Sequence, residues 1–244
     1  MSKSDTPQNL KLDKYNVPQL LGTRATRRFH VMAKPAGSAC NLDCTYCFYL
    51  SKRTLPGGPG AGHMSDEVLD RFVKSYIESV TGDEVVFSWQ GGEPTLLGLD
   101  FFRKVVAFQQ RHAKGGQRIE NDLQTNGTML DEDWARFLKQ HRFLVGLSID
   151  GPREIHDHYR ITKRAEPTFD KVFAAAKMLH KHGVRFNTLT CVHRYNASKP
   201  LDARPGFTVS RDGFVAETSS APPASEPDPF EFDLGPSPFQ SKPA

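Results

Sequence analysis

A chain of 244 residues with 38% hydrophobic and 25% charged content has the make-up of a globular fold with an apolar core. Its formal charge of +4 is too small to argue for nucleic acid, and Arg24, Arg27 and Arg28 read as a solvated entry to the first strand. No run approaches the ~18 apolar residues of a membrane span, and the polar first thirty residues lack the apolar centre of a secretory signal. The expectation is a cytoplasmic protein with no nucleic-acid and no membrane partner.

From Phe29 onward, short apolar runs alternate with amphipathic charged stretches. Strands are predicted at His30–Lys34, Val85–Trp89, Ile119–Gln124, Phe143–Ile149 and Val184–Val192. The first helix opens at Ser65, a good N-cap followed by acidic residues that suit the helix dipole. Further helices are predicted at Phe101–His112, Glu132–Gln140 and Phe169–His182, the last stopped by Gly183. A βα unit repeated four times and closed by a fifth strand predicts a parallel α/β sheet, open or curled into a barrel. The domain division that follows is residues 1–28 as an N-terminal extension, 29–202 as the α/β body and 203–244 as a tail.

The tail differs in kind. It holds eight of the 17 prolines and no Ile, Met, Tyr, Trp, Cys or His. Proline lacks a donor and fixes φ, so Ala221-Pro-Pro-Ala-Ser-Glu-Pro-Asp-Pro can extend neither a helix nor a sheet interior. That composition predicts disorder. The βα pattern stops near Asp202, where a sixth unit is expected, and residues from about Ala203 read as a frame-shifted continuation.

Three of the four cysteines fall within eight residues, Cys40-Asn-Leu-Asp-Cys44-Thr-Tyr46-Cys47, directly after the first strand. Ligands of parallel α/β sheets bind at that edge. This spacing suits a metal or cluster site rather than a disulfide framework. Three thiolates on a cubane leave one iron open to a cofactor. Zinc also takes thiolates, but a structural zinc site needs a fourth ligand, and the nearest histidines are His30 and His63. Cys191, alone in the fifth predicted strand, reads as a small buried hydrophobe. His156 and His158 read as solvated loop residues.

Other polar groups close the remaining strands. The second ends Gln90-Gly91-Gly92-Glu93-Pro94, whose glycines permit close backbone approach to a ligand. The third ends Gln124-Thr-Asn126-Gly127, an Asn-Gly turn signal. The fourth ends Ser148-Ile-Asp150-Gly-Pro, placing Ser148 and Asp150 on one face by strand alternation. Arg160 follows, with a planar fork suited to a carboxylate.

The cysteine motif with an aromatic residue before its third cysteine resembles the radical S-adenosylmethionine superfamily. The resemblance implies a partial (β/α)6 barrel, incomplete in this chain. It further implies a [4Fe–4S] cluster on Cys40, Cys44 and Cys47, and S-adenosyl-L-methionine contacts from Tyr46, Gly92, Ser148 and Arg160, with Gln124 and Asn126 as secondary candidates. Cys-Asn-Leu-Asp-Cys-Thr-Tyr-Cys-Phe-Tyr, Gln-Gly-Gly-Glu-Pro-Thr-Leu, Leu-Gln-Thr-Asn-Gly-Thr and Val-Gly-Leu-Ser-Ile-Asp-Gly-Pro together resemble the anaerobic sulfatase-maturating enzymes, over about Phe29 to Leu201. Those enzymes use a 5′-deoxyadenosyl radical to oxidise a sulfatase cysteine or serine to formylglycine. The implied partners are a sulfatase or other peptide substrate and an electron donor such as a flavodoxin or ferredoxin. The family's proton-accepting aspartate and its cysteine-rich C-terminal domain with two auxiliary clusters have no counterpart among these residues. No catalytic residue is therefore assigned. Two rival readings follow, a non-catalytic cluster-binding fragment and a zinc-binding α/β module.

Overall fold

A computed structural model describes residues 29–50 and 63–197, together with the backbone of 207–210 and 213–216. Arg24, Arg27, Arg28 and the rest of the N-terminal extension lie outside the described residues, as does most of 203–244.

Five strands run parallel in the order β1-β2-β3-β4-β5, so every crossover places the next strand beside the last. They are β1 (Val31–Ala33), β2 (Glu84–Trp89), β3 (Arg118–Thr125), β4 (Leu144–Ser148) and β5 (Arg185–Leu189). Register aligns Met32 with Ser88, Ser88 with Asp122, Asp122 with Leu144 and Leu144 with Arg185. The strand ends that carry the candidate residues therefore lie along one edge.

The connecting helices form where their sequences offer a cap and an apolar stripe. Helix α1 (Asp66–Ser79) starts at Ser65, whose hydroxyl accepts from the Val68 N–H at 3.3 Å, and it buries Leu69, Val73, Tyr76 and Ile77. Helix α2 (Gly98–His112) buries Phe101, Phe102, Val105 and Gln109. Helix α3 (Glu132–Gln140) is capped by the Asp131 carboxylate on the Trp134 N–H at 2.9 Å. Helix α5 (Phe169–Lys181) buries Val172, Ala175, Ala176 and Leu179. Between β4 and α5 lies the short α4 (Arg153–Tyr159), and after β5 the single turn α6 (Arg194–Ala197).

Alternation along the strands separates two faces. Val85, Phe87, Trp89, Leu123, Val145 and Leu147 are buried in the core with the helical stripes. Each large side chain so buried contributes about 1.5–3 kcal/mol of transfer free energy. Within that core the Trp89 indole N–H and the Gln109 amide both donate to Asn121 Oδ1 at 2.8 Å, which ties β2, β3 and α2 together. Ser88, Gln90, Asp122, Gln124 and Asn187, with Trp89 and Leu189, line a shallow cleft of about 180 Å³.

Residues 207–210 and 213–216 pair antiparallel as β6 (Phe207–Ser210) and β7 (Gly213–Ala216). No described helix is long and apolar enough to cross a membrane.

Candidate cluster and cofactor site

Cys40, Cys44 and Cys47 occupy the loop after β1, and that loop is laid across the C-terminal ends of the other strands. The Gly92 N–H donates to the Gly37 carbonyl at 2.9 Å, and the Glu93 N–H donates to the Ala39 carbonyl at 2.7 Å. From the other side, the Asp43 N–H donates to Ile161 O at 2.9 Å and the Thr45 N–H to Tyr159 O at 3.0 Å. Side chains complete the attachment, with Asn41 donating to Thr128 Oγ1 at 2.8 Å and Asn126 donating to Asn41 Oδ1 at 2.9 Å. The loop thus acquires its shape from β2, β3 and α4 before any ligand is considered.

The glycines have a specific task here. Gly91 has φ +121°, and a Cβ on it would lie 2.7 Å from Gly37 O; at Gly92 it would lie 2.0 Å from Ala39 O. The close approach expected toward a ligand is made first toward the cysteine loop itself. Because the Gly92 N–H is committed to Gly37, the group this residue can offer a ligand is its carbonyl oxygen.

Glu93 supplies the support beneath. It is buried, and its Oε1 accepts from Thr95 N at 3.1 Å, Thr95 Oγ1 at 2.6 Å and Thr125 Oγ1 at 2.7 Å. Its Oε2 accepts from Asn126 N at 2.7 Å. Burial raises the Glu93 pKa, and these four donors oppose the rise. The anchored Asn126 in turn points its amide at Cys40 Sγ, 3.8 Å away, and the Leu42 N–H reaches the same sulfur at 3.4 Å.

Burial raises the Cys40 pKa and pushes the Cys44 thiol up to about 11, in the second case against the pull of Arg160. Glu93 and then Cys47 also raise Cys40, and Cys40 and Cys47 also raise Cys44. At neutral pH such groups hold their protons until a metal displaces them. Among the described residues no three His, Cys, Asp or Glu side chains converge tightly enough to enclose a single metal ion. His30, weighed as a zinc ligand, instead pairs its Nε2 with Ser88 Oγ at 2.7 Å, and His63 is exposed. The donor set is one that an iron–sulfur cluster would fit. It comprises three thiols in one loop, with N–H donors on a sulfur of the kind that tune cluster ligands.

Of the other sequence candidates, Ser148 is buried at the end of β4, and Gln124 is exposed on the shallow cleft. Tyr46 and Arg160 meet at Asp150. The Tyr46 hydroxyl donates to Asp150 Oδ2, the Arg160 Nε donates to the same oxygen at 2.8 Å, and the guanidinium lies 5.6 Å from the Tyr46 ring centre. Burial raises the Tyr46 pKa. Burial pulls Arg160 down, but the Asp150 charge and hydrogen bond, together with Tyr46 and Cys44, hold the guanidinium above its ordinary value.

Two sequence readings are corrected. His156 is not solvated: it sits in α4, wholly buried, and burial and then Arg160 lower its pKa to about 4. Cys191 is neither in a strand nor buried. The Asp150 Oδ1 captures its N–H at 3.0 Å and draws the chain off the sheet after Leu189. The supporting roles of Glu93 and His156 were missed, and Asp150 was paired with Ser148 rather than with Tyr46 and Arg160, although an acid two residues before Thr95 and an aspartate before Gly-Pro are visible as local cap and turn signals.

The model of the radical SAM superfamily matches residues 35–203. A serine-type anaerobic sulfatase-maturating enzyme of Bacteroides thetaiotaomicron is 44% identical over 173 residues, covering 71% of this chain and 42% of the relative. A cysteine-type enzyme of Clostridium perfringens is 47% identical over 172 residues, covering 70% and 46% respectively. The structure of native anSMEcpe with bound AdoMet and Cp18Cys peptide superimposes with TM-score 0.65 at 44% identity, covering 70% of this chain and 45% of that one. The chain thus spans about half the length of the curated relatives it matches. A family model matching well over half of the sequence, on a parallel sheet whose first strand leads into the three-cysteine loop, places the chain in the radical SAM superfamily.

Proposed function

We propose that this chain generates radicals from S-adenosyl-L-methionine in the manner of an anaerobic sulfatase-maturating enzyme. The cysteines Cys40, Cys44 and Cys47 would hold a [4Fe–4S] cluster, and Tyr46, Gly92, Ser148 and Arg160 would contact the cofactor. When bound, the cluster supplies the electron that splits a carbon–sulfur bond of S-adenosyl-L-methionine, releasing a 5′-deoxyadenosyl radical.

The chain's own residues divide the remaining work. The Gly92 carbonyl is free of the loop contact that occupies its N–H and suits an ammonium group. The Arg160 guanidinium suits a carboxylate or ribose oxygen. Asn126 and the Leu42 N–H donate to Cys40 Sγ, which stabilises a thiolate there. The loop's clasp by β2 and α4 holds its cysteines in place before the cluster arrives.

The substrate proposed is the cysteine or serine of a sulfatase peptide, oxidised to formylglycine, with a flavodoxin or ferredoxin as electron source and the cytoplasm as the compartment. The observation that carries the reading is the three-cysteine loop pinned against Gly92 and Glu93. The test is anaerobic incubation of the reconstituted chain with S-adenosyl-L-methionine, dithionite and a sulfatase peptide. Formation of 5′-deoxyadenosine together with a hydrazine-trappable aldehyde supports the full reading. Coverage of less than half of each relative supports a second one, a fragment that holds the cluster without oxidising the peptide. A cluster with neither product would select it.

A further inference from the structure

We infer that Asp150 is a positioning residue that sets Tyr46 and Arg160 together, so that one buried carboxylate orients two of the cofactor contacts. The inference rests on the function proposed above and assigns Asp150 no contact with the cofactor itself.

Asp150 is fully buried and follows β4. Its Oδ2 accepts from the Tyr46 hydroxyl and from Arg160 Nε, while its Oδ1 accepts from the Cys191 N–H. One side chain thereby joins the cysteine loop, the end of β4, the end of α4 and the segment after β5. Tyr46 lies between Cys44 and Cys47 in sequence, so its tether is also a tether on the cysteine loop. With Nε committed and Nη2 directed toward Cys191 Sγ at 3.9 Å, the Arg160 fork has one orientation in which to meet a ligand.

A second connection fixes the same pair through the main chain. The Asp150 N–H donates to His156 Nδ1 at 3.4 Å, so that nitrogen is the acceptor and the ring proton sits on Nε2. His156 Nε2 then donates to Thr168 Oγ1 at 3.0 Å, and the Thr168 hydroxyl donates to Arg160 O at 2.7 Å. Donors and acceptors follow one direction from Asp150 to Arg160. The ends of β4 and α4 are therefore held at a set separation by ion pair and relay alike.

The experiment uses the reconstituted full chain, reading iron content, the cluster's visible absorbance and the change in its reduced EPR spectrum as S-adenosyl-L-methionine is added. With Asp150→Asn the inference expects the absorbance to persist and the concentration for half the EPR change to rise about 10–100-fold, the range for groups that orient ligands. Tyr46→Phe removes only one hydroxyl and leaves the buried ion pair whole. Alone it should raise the half-change concentration several-fold; added to Asp150→Asn it should do nothing more. If Asp150→Asn fails to take up iron, Tyr46→Phe decides: a shifted titration supports the inference and an unshifted one overturns it. Fully additive effects of the two substitutions also overturn it. A wild-type chain whose spectrum ignores S-adenosyl-L-methionine overturns the proposed function and this inference together; a responsive wild type with unaltered variants overturns the inference alone.

Discussion

The main chain of Gly92 lies against that of Ala39 so closely that a Cβ on Gly92 would stand 2.0 Å from the Ala39 carbonyl oxygen. This contact couples the end of β2 to the residue preceding Cys40. It makes the glycine a requirement of the loop's position, before any contact with a cofactor.

Gly92→Ala should accordingly displace the cysteine loop. The atom met is backbone, which cannot rotate aside, so an overpacking cost of about 1–3 kcal/mol is expected. Iron uptake after anaerobic reconstitution should fall severely, because the thiols move with the loop. Wild-type iron content and an unchanged denaturation midpoint in this variant would refute the account of Gly92.

Glu93→Gln tests the support under the loop. The substitution keeps the shape but replaces one acceptor oxygen by an NH2 group that would face a donor of Thr95, Thr125 or Asn126. The expected loss is about 1–3 kcal/mol, read from urea unfolding of the chain. No loss of stability would mean that this carboxyl is already protonated and donating, which would reverse the assignment of acceptors made here.

His156 predicts a particular pH dependence. It is neutral in the folded chain down to about pH 4, whereas the unfolded chain protonates it near its ordinary value of 6.5. Between those values the unfolded state binds more protons, so stability is fully present above pH 6.5 and is lost as pH falls to about 4. Arg160 reinforces this behaviour, and Asp150 and Asp157 oppose it. The loss is on the order of 3 kcal/mol. Subtracting the stability profile of His156→Gln from that of the wild type separates this contribution from that of the carboxylates, which titrate near the same pH. A flat difference between pH 4 and 7 would show that the histidine is charged or accessible in the fold.

Much of this architecture could be read before any coordinates. The parallel sheet follows from alternation, and helix α3 spans Glu132–Gln140 as the sequence predicts. Helices α4 and α6 were missed because seven and four residues give too little periodicity to stand out, and Gly-Pro before α4 reads first as a turn. The hairpin of β6 and β7 lies within a segment whose proline content argued for disorder. The cysteine loop and Gly92 carry their chemistry in local sequence. Asp150 does not: its partners Tyr46, Arg160 and Cys191 stand 104, 10 and 41 residues away, and only the fold brings them together.

The most direct test of the central claim is iron, sulfide and zinc analysis of the anaerobically reconstituted chain, beside Cys40→Ala, Cys44→Ala, Cys47→Ala and Cys191→Ala. The account predicts roughly four irons and four sulfides per wild-type chain, loss of the cluster in each of the first three variants, and its retention in Cys191→Ala. Stoichiometric zinc without sulfide, or a cluster lost as fully from Cys191→Ala as from Cys44→Ala, would contradict it.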